Sequence, residues 1–188
     1  AESERRVEVV LLDTSDGTSQ IAVVALHGAG AVEHSRAIDT ATEGQPQYLF
    51  EEYDRAASIA KASEGWQAAM RRRGLEDRIE LAFCAPLAPG FFGREEEANK
   101  RVIRSLTFLR DHESDSPWAH PVEGLIVHID LSSGSVIRVE DEGDVPVPAG
   151  HGNYGADAQG PARTTLKPIS ITQPEGPSFA VDGSLVTW

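Results

Sequence analysis

"QYLFEEYDRAASIAKASEGWQAAMRRRG", Gln47 to Gly74, is the stretch on which the fold turns. Tyr48, Leu49, Tyr53, Ala56, Ala57, Ala60, Trp66, Ala69 and Met70 recur at intervals of three and four. That spacing predicts an amphipathic helix over residues 47–73, broken near Ser63–Gly65 and stopped by Gly74. Downstream, Arg78–Ala85, Lys100–Asp111, Gly124–Leu131 and Ser135–Glu140 read as extended runs, with SSGS at 132–135 as a hairpin turn. One helix followed by four antiparallel strands implies an α+β unit, the helix packed across one face of a curled sheet.

The flanks read differently. Residues 1–40 alternate β-branched runs (RRVEVVLL, QIAVVALH, AVEHSRAID) with the turn signals DTSDGTS and GAG, the pattern of a partial β-meander. Such a ribbon is marginal alone, so the chain is expected to begin inside a domain. After Glu140 the patterning fades into a proline- and glycine-rich stretch. KPISITQPEGPSF, Lys167 to Phe179, is its stiffest part, a half-apolar strap with three prolines. Loops of that length usually wrap another surface. FAVDGSLVTW then resumes a strand and stops at Trp188.

Composition excludes several function classes. A formal charge of -13 over 188 residues argues against a phosphate-backbone partner, which needs a concentrated basic face. The basic cluster Arg71–Arg73 falls at a helix end, where cations suit the macrodipole. No apolar run approaches the roughly 20 residues of a membrane span. The opening AESERRVEVV lacks the apolar core of a signal peptide, which favours a soluble, cytoplasmic setting. Cys84, between Phe83 and Ala85, reads as a buried inert thiol.

Chemistry-bearing motifs are sparse. The six histidines, at 27, 34, 112, 120, 128 and 151, have no i, i+2 or i, i+4 pair that would aim two rings at one ion. They read as surface or hydrogen-bonded residues, with a site assembled only in three dimensions left open. No GxSxG elbow, HExxH, glycine-rich phosphate loop or CxxC occurs. REEEANK, Arg94–Lys100, reads as a solvated face whose internal pairs contribute about 0.3–0.5 kcal/mol each. Trp118, between prolines in SPWAHP, is set to present a flat ring; Tyr53 lies in the helix pattern and Leu87 in the proline-stiffened turn APLAPG.

Several stretches together resemble one family. PARTTLKPISITQPEGPSF looks like the segment leading into the catalytic domain of copper-containing primary-amine oxidases. WAHPVEGLIVHID resembles their W-A-H-P-x-x-G pattern and the strand after it, and VPVPAGHGNY their V-P-x-P-x-x-x-x-N-Y linker. The APL turn and REEEANKRVIRSLTFLRD fit the same small domain. The resemblance implies the end of an N2-like domain at 1–40 and a cystatin-like N3 α+β domain at 41–145. Residues 146–188 would then be an extended linker and the first strand of a catalytic domain outside this chain.

In that family a primary amine is oxidised to an aldehyde, with ammonia and hydrogen peroxide released. This needs topaquinone, made from the tyrosine of an Asn-Tyr-Asp/Glu motif, a copper held by three histidines including a His-x-His pair, and an aspartate base. Asn153–Tyr154 is followed by Gly155 and not by an acid, and no His-x-His occurs. The resemblance therefore implies a fragment that is catalytically inactive alone, with no catalytic, cofactor or metal residues. Its partners would be the catalytic domain of the same chain, a second subunit in a homodimer, and a primary-amine substrate. By position, Tyr53, Ala85, Pro86, Leu87 and Trp118 would line the mouth of the substrate channel. An acidic surface would also concentrate ammonium substrates. The alternative is a free-standing acidic binding module that kept this fold without the oxidase; a metal hydrolase using the scattered histidines has little sequence support.

Overall fold

In the computed structural model, residues 5–28 and 30–188 are described. The chain divides into two compact units, Ala1–Tyr154 and Gly155–Trp188. The meander is present in the first: β1 (Arg6–Leu12), β2 (Ser19–Ala25) and β3 (Ala31–Ala37) pair antiparallel in that order. Ala29, in the expected GAG turn, and residues 1–4 lie outside the described residues. β1 and β3 bury no residue, while Ser19, Ala22 and Ala25 of β2 are buried. The β1–β2 turn lies close to the turn at Ser132, because a Cβ added to Gly17 would come 3.1 Å from the Ser132 hydroxyl.

The helical stretch forms α1 (Phe50–Ala62) and α2 (Glu64–Arg72), broken at Ser63 as the sequence suggests. Ser63 is extended, and its hydroxyl accepts the Trp66 amide, capping α2. Gly74 ends α2 at φ +67°, with the Leu75 amide returning to the Met70 carbonyl. Tyr48 and Leu49, counted in the helical pattern, precede the helix. Leu49 has no polar side chain to cap with, so the Glu52 carboxylate takes its amide at 2.9 Å.

β4 (Phe83–Leu87), β5 (Val102–Phe108), β6 (Pro121–Asp130) and β7 (Ser135–Asp141) form an antiparallel sheet in sequential order. Together with the helices this is the α+β unit expected, and the β6–β7 turn falls at Leu131–Gly134. The predicted strand over Arg78–Ala85 is shorter than expected: residues 76–82 form a 3₁₀ turn and loop, and β4 begins at Phe83. Ile79 and Ala82 still pack on the core, so burial alone accounts for their apolar character.

The pleat sends alternate residues to opposite faces. Cys84, Ile103, Thr107, Val127 and Ile129 face the helices, where Ala56, Ala60, Trp66, Ala69 and Met70 meet them. The Trp66 indole N–H donates to the Thr107 hydroxyl at 2.9 Å, so the largest core ring leaves no polar atom unsatisfied. Burying each large apolar side chain here contributes about 1.5–3 kcal/mol.

The second unit has one helical turn, α3 (Ala156–Gln159), and a hairpin of β8 (Ala180–Asp182) and β9 (Leu185–Thr187) where the sequence suggested a single strand. Gly183 turns it at φ +59°. The strap from Lys167 to Phe179 carries no helix or strand and is exposed throughout.

Candidate functional site

The five residues singled out as a channel wall divide between the two sides of the sheet. Ala85 and Leu87 pair with Leu106 and Arg104 across β4 and β5, on the face away from the helices. Pro86 pairs with Ser105 on the helix face. APL is therefore strand and not turn: Pro86 sits in β4, an edge strand, where proline's missing N–H removes no essential ladder bond. Ala85 is buried, Pro86 half-buried, and Leu87 is 49% exposed.

Trp118 stands on the open face. Short 3₁₀ backbone over Pro117–Ala119 holds it, and its ring packs edge-on against Phe108 (centroids 4.8 Å) and Phe83 (5.6 Å). Those two are cross-strand partners, so β4 and β5 build the platform beneath it. The indole is nonetheless 62% exposed. Leu87 lies at the far end of β4, four residues or about 13 Å along the strand from Phe83.

Tyr53 projects from α1 beside Tyr48 and Phe50, at ring separations of 6.2 and 6.3 Å. It borders a cavity of about 740 Å³ that also takes in Tyr48, Pro89, Phe91, Asn99 and Lys100. The loop following Leu87 thus meets Tyr53 across this cavity, whereas Trp118 is placed at the opposite end of β4.

The structure also assembles an ionic network that the sequence pattern did not indicate. Glu97, within the segment read as solvated, is 3% exposed. Its carboxylate accepts from His128 Nδ1 at 2.8 Å and from Arg104 at 3.3 Å. Arg138 donates to His128 Nε2 at 2.9 Å and pairs with Glu140 at 2.6 Å. Register explains the convergence, since Arg104, His128 and Arg138 are successive partners across β5, β6 and β7. Burial, with the Arg138 charge beside it, holds the His128 pKa below its ordinary value, so the ring is neutral and donates from Nδ1. Burial pushes the Glu97 pKa up, but the His128 hydrogen bond and the Arg104 charge outweigh it and hold it down. The available sequence signal was a basic or imidazole residue directly after an apolar one in each of three strands, Arg104, His128 and Arg138.

Of the histidines, His120 and His128 are buried and hydrogen-bonded, and the other four are exposed. Three histidines converge nowhere among the described residues. One mixed group does form: Asp111, Asp115 and His120 bring a ligand atom each within 4.8 Å of one another. Tyr154 is 70% exposed. Cys84 is buried as expected, and burial pushes its thiol pKa up to about 11. Arg72 and Arg73, at the end of α2, both pair with Asp141, so the basic cluster anchors β7 as well as suiting the dipole.

Residues 51–157 match the family model described as copper amine oxidase, N3 domain. The chain is 41% identical over 184 residues to a primary amine oxidase of Arthrobacter sp. (strain P1), covering 98% of this chain and 28% of that protein. It is 38% identical over 185 residues to a histamine oxidase of Arthrobacter globiformis, covering 98% and 27%. To the peroxisomal N-methylputrescine oxidase 1 of Nicotiana tabacum it is 32% identical over 204 residues, covering 98% and 25%. The chain therefore spans roughly a quarter of the length of these relatives. With the model matching more than half of its residues, the chain belongs to the copper amine oxidase family and carries that family's N3 domain.

Proposed function

We propose that this chain is the non-catalytic N-terminal region of a copper amine oxidase that packs on the catalytic domain and helps form the entrance to its substrate channel. The parent reaction would be oxidative deamination of a primary amine to an aldehyde, ammonia and hydrogen peroxide. In this reading residues 1–40 are the end of an N2-like domain, 41–145 the N3-like domain, and 146–188 the linker and first catalytic-domain strand. The exposed strap would lie along that domain, and a second subunit would complete a homodimer. We assign the 41–145 unit a cystatin-like wrap of sheet around helix; register irregularities at Leu106/Phe108 and His128/Ile129 support it, because bulges bend strands.

The residues of this chain do not fit the copper or the quinone. Three imidazoles do not converge among the described residues, and Asn153–Tyr154 lacks the acid after tyrosine. Among the described residues no helix is long and apolar enough to cross a membrane.

Trp118 is the observation that carries the channel reading. A large ring held edge-on by two others yet mostly solvent-exposed is a rigid surface open to a further contact. Leu87, exposed on the same face, and Tyr53, beside the cavity, extend the proposed wall, with Ala85 and Pro86 as its backbone support. The chain's acidity would attract ammonium substrates toward it.

Trp118→Ala in the intact oxidase is expected to change kcat/KM for bulky amines several-fold and leave that for methylamine within about twofold. Unchanged ratios across amine sizes would remove Trp118 from the channel. The second reading, a free-standing acidic binding module, draws on the cavity between Tyr53 and Phe91. It gains if the gene encodes no catalytic domain beyond Trp188.

A further inference from the structure

His120 is tied on one side and unpartnered on the other. Its Nδ1 lies 2.9 Å from the Pro148 carbonyl oxygen, and a carbonyl only accepts, so Nδ1 carries the proton. The residue is 3% exposed, and its Nε2 has no hydrogen-bond partner. Two carboxylates flank that nitrogen: Asp115 Oδ2 is 3.2 Å away and Asp111 Oδ2 3.7 Å. Asp115 is itself 4% exposed, and its Oδ1 is also buried without a partner. The imidazole nitrogen and the two carboxylate oxygens thus lie within 4.8 Å of one another, and a buried Nε2 lone pair beside carboxylates is costly unless a cation sits between them.

We propose that Asp111, Asp115 and His120 form a binding site for a zinc-class divalent cation, separate from the copper chemistry of the family. A proton on Nε2 is the simpler cation, but a hydrogen bond would set the acceptor oxygen along the N–H direction. At 3.2 Å the Asp115 oxygen makes no such bond, so it lies off that axis. A metal ion does what the proton does not. With bonds of about 2.0–2.2 Å in tetrahedral geometry, the ion sits on the nitrogen axis and its other ligands lie off it, roughly 3.3–3.5 Å from the nitrogen. The distances found, 3.2 and 3.7 Å, bracket that value.

The surroundings agree. An Nδ1–H bond to a main-chain carbonyl is the usual way a ligating histidine is oriented. Arg78 occupies Asp111 Oδ1 at 2.9 Å and leaves Oδ2 for the ion. The Asp111 amide donates to Asp115 Oδ2 at 3.0 Å, fixing the second carboxylate. Asp111 is 51% exposed at its side chain, which leaves a path for the ion and a fourth position for water. Two carboxylates and one imidazole suit zinc or manganese better than the softer copper(I). Because Pro148 holds the same imidazole, a bound ion would also fasten the segment after β7 to the start of β6.

The test uses the 188-residue chain, stripped with a chelator and dialysed against zinc chloride. One zinc per chain is expected, with Asp111→Asn and Asp115→Asn each weakening retention at least tenfold while far-UV circular dichroism is unchanged. His112→Ala, beside the site in sequence, is expected to retain zinc fully. Absence of stoichiometric zinc, retention unaffected by Asp111→Asn, or loss in His112→Ala would each overturn the proposal. Nitrogen NMR of the His120 ring in the unmutated protein needs no variant to fold. Zinc-dependent movement of the Nε2 resonance is expected, and a ring protonated at Nε2 at pH 7 and unmoved by zinc would also overturn it.

Discussion

Arg101 and Glu52 meet inside the fold as a two-pronged pair, Nε to Oε1 at 2.6 Å and Nη2 to Oε2 at 2.7 Å, their side chains 3% and 8% exposed. The guanidinium also donates to the Pro46 and Gln47 carbonyls at 2.9 and 3.1 Å and stacks 4.5 Å from the Tyr48 ring. One arginine thus ties the approach to α1 to the start of β5.

Removing one partner leaves the other charge buried. Arg101→Met should destabilise the chain by about 3–5 kcal/mol in urea unfolding, and adding Glu52→Gln should recover part of that loss. A single-variant cost below about 1 kcal/mol would mean the pair is not isolated from water as described.

Acid should act in two stages. Burial lowers the His128 pKa, so the unfolded chain takes up a proton before the folded one does. Stability is then undiminished above the ordinary histidine value of about 6.5 and falls as pH drops below it. His128→Gln should flatten that first stage.

The second stage belongs to carboxylates. Glu52 is raised by burial but lowered further by Arg101 and the Leu49 amide, and Asp141 is lowered first by its hydrogen bond from Arg72. Their contribution is present above the unfolded carboxylate range near 4 and is lost as pH falls through the lower folded values. Stability that is level from pH 7 to 3 would contradict both assignments.

Cys84 should resist alkylation. With its thiol pushed up to about 11 by burial, almost no thiolate exists at pH 8. Iodoacetamide is expected to label it only in denaturant; comparable native and denatured rates would show an open site.

Gly152 leaves no room for a side chain. An added Cβ would fall 2.5 Å from the Ser116 carbonyl oxygen and 2.9 Å from both Ala119 Cβ and Asp115 Oδ1. Gly152→Ala should cost about 1–3 kcal/mol by thermal unfolding, while Gly150→Ala, with open space around it, should cost little. Equal effects would remove the steric explanation.

Local rules made much of the architecture readable from sequence. The three-and-four spacing from Tyr53 to Met70, the break at Ser63 and the stop at Gly74 depend on neighbours a few residues apart, and so did the hairpin turn before Ser135. Two of the errors had one origin. Ile79 and Ala82 read as strand because they are apolar, and Glu97 read as surface because it is charged, although each is placed by residues distant in the chain.

By itself the sequence determined the meander, helix and sheet succession of the first unit, the family and the absence of a His-x-His or an Asn-Tyr-acid motif, since these depend only on which residues stand near one another along the chain. Tertiary structure decided which face each strand residue takes and which distant charges meet. Leu87 and Trp118 came to share the open face, Tyr53 went to the helix side, and His120 was brought beside Asp111 and Asp115. The physical reason is that pleat and register turn a one-residue step into a change of face, and pair residues whose separation in sequence carries no local signal.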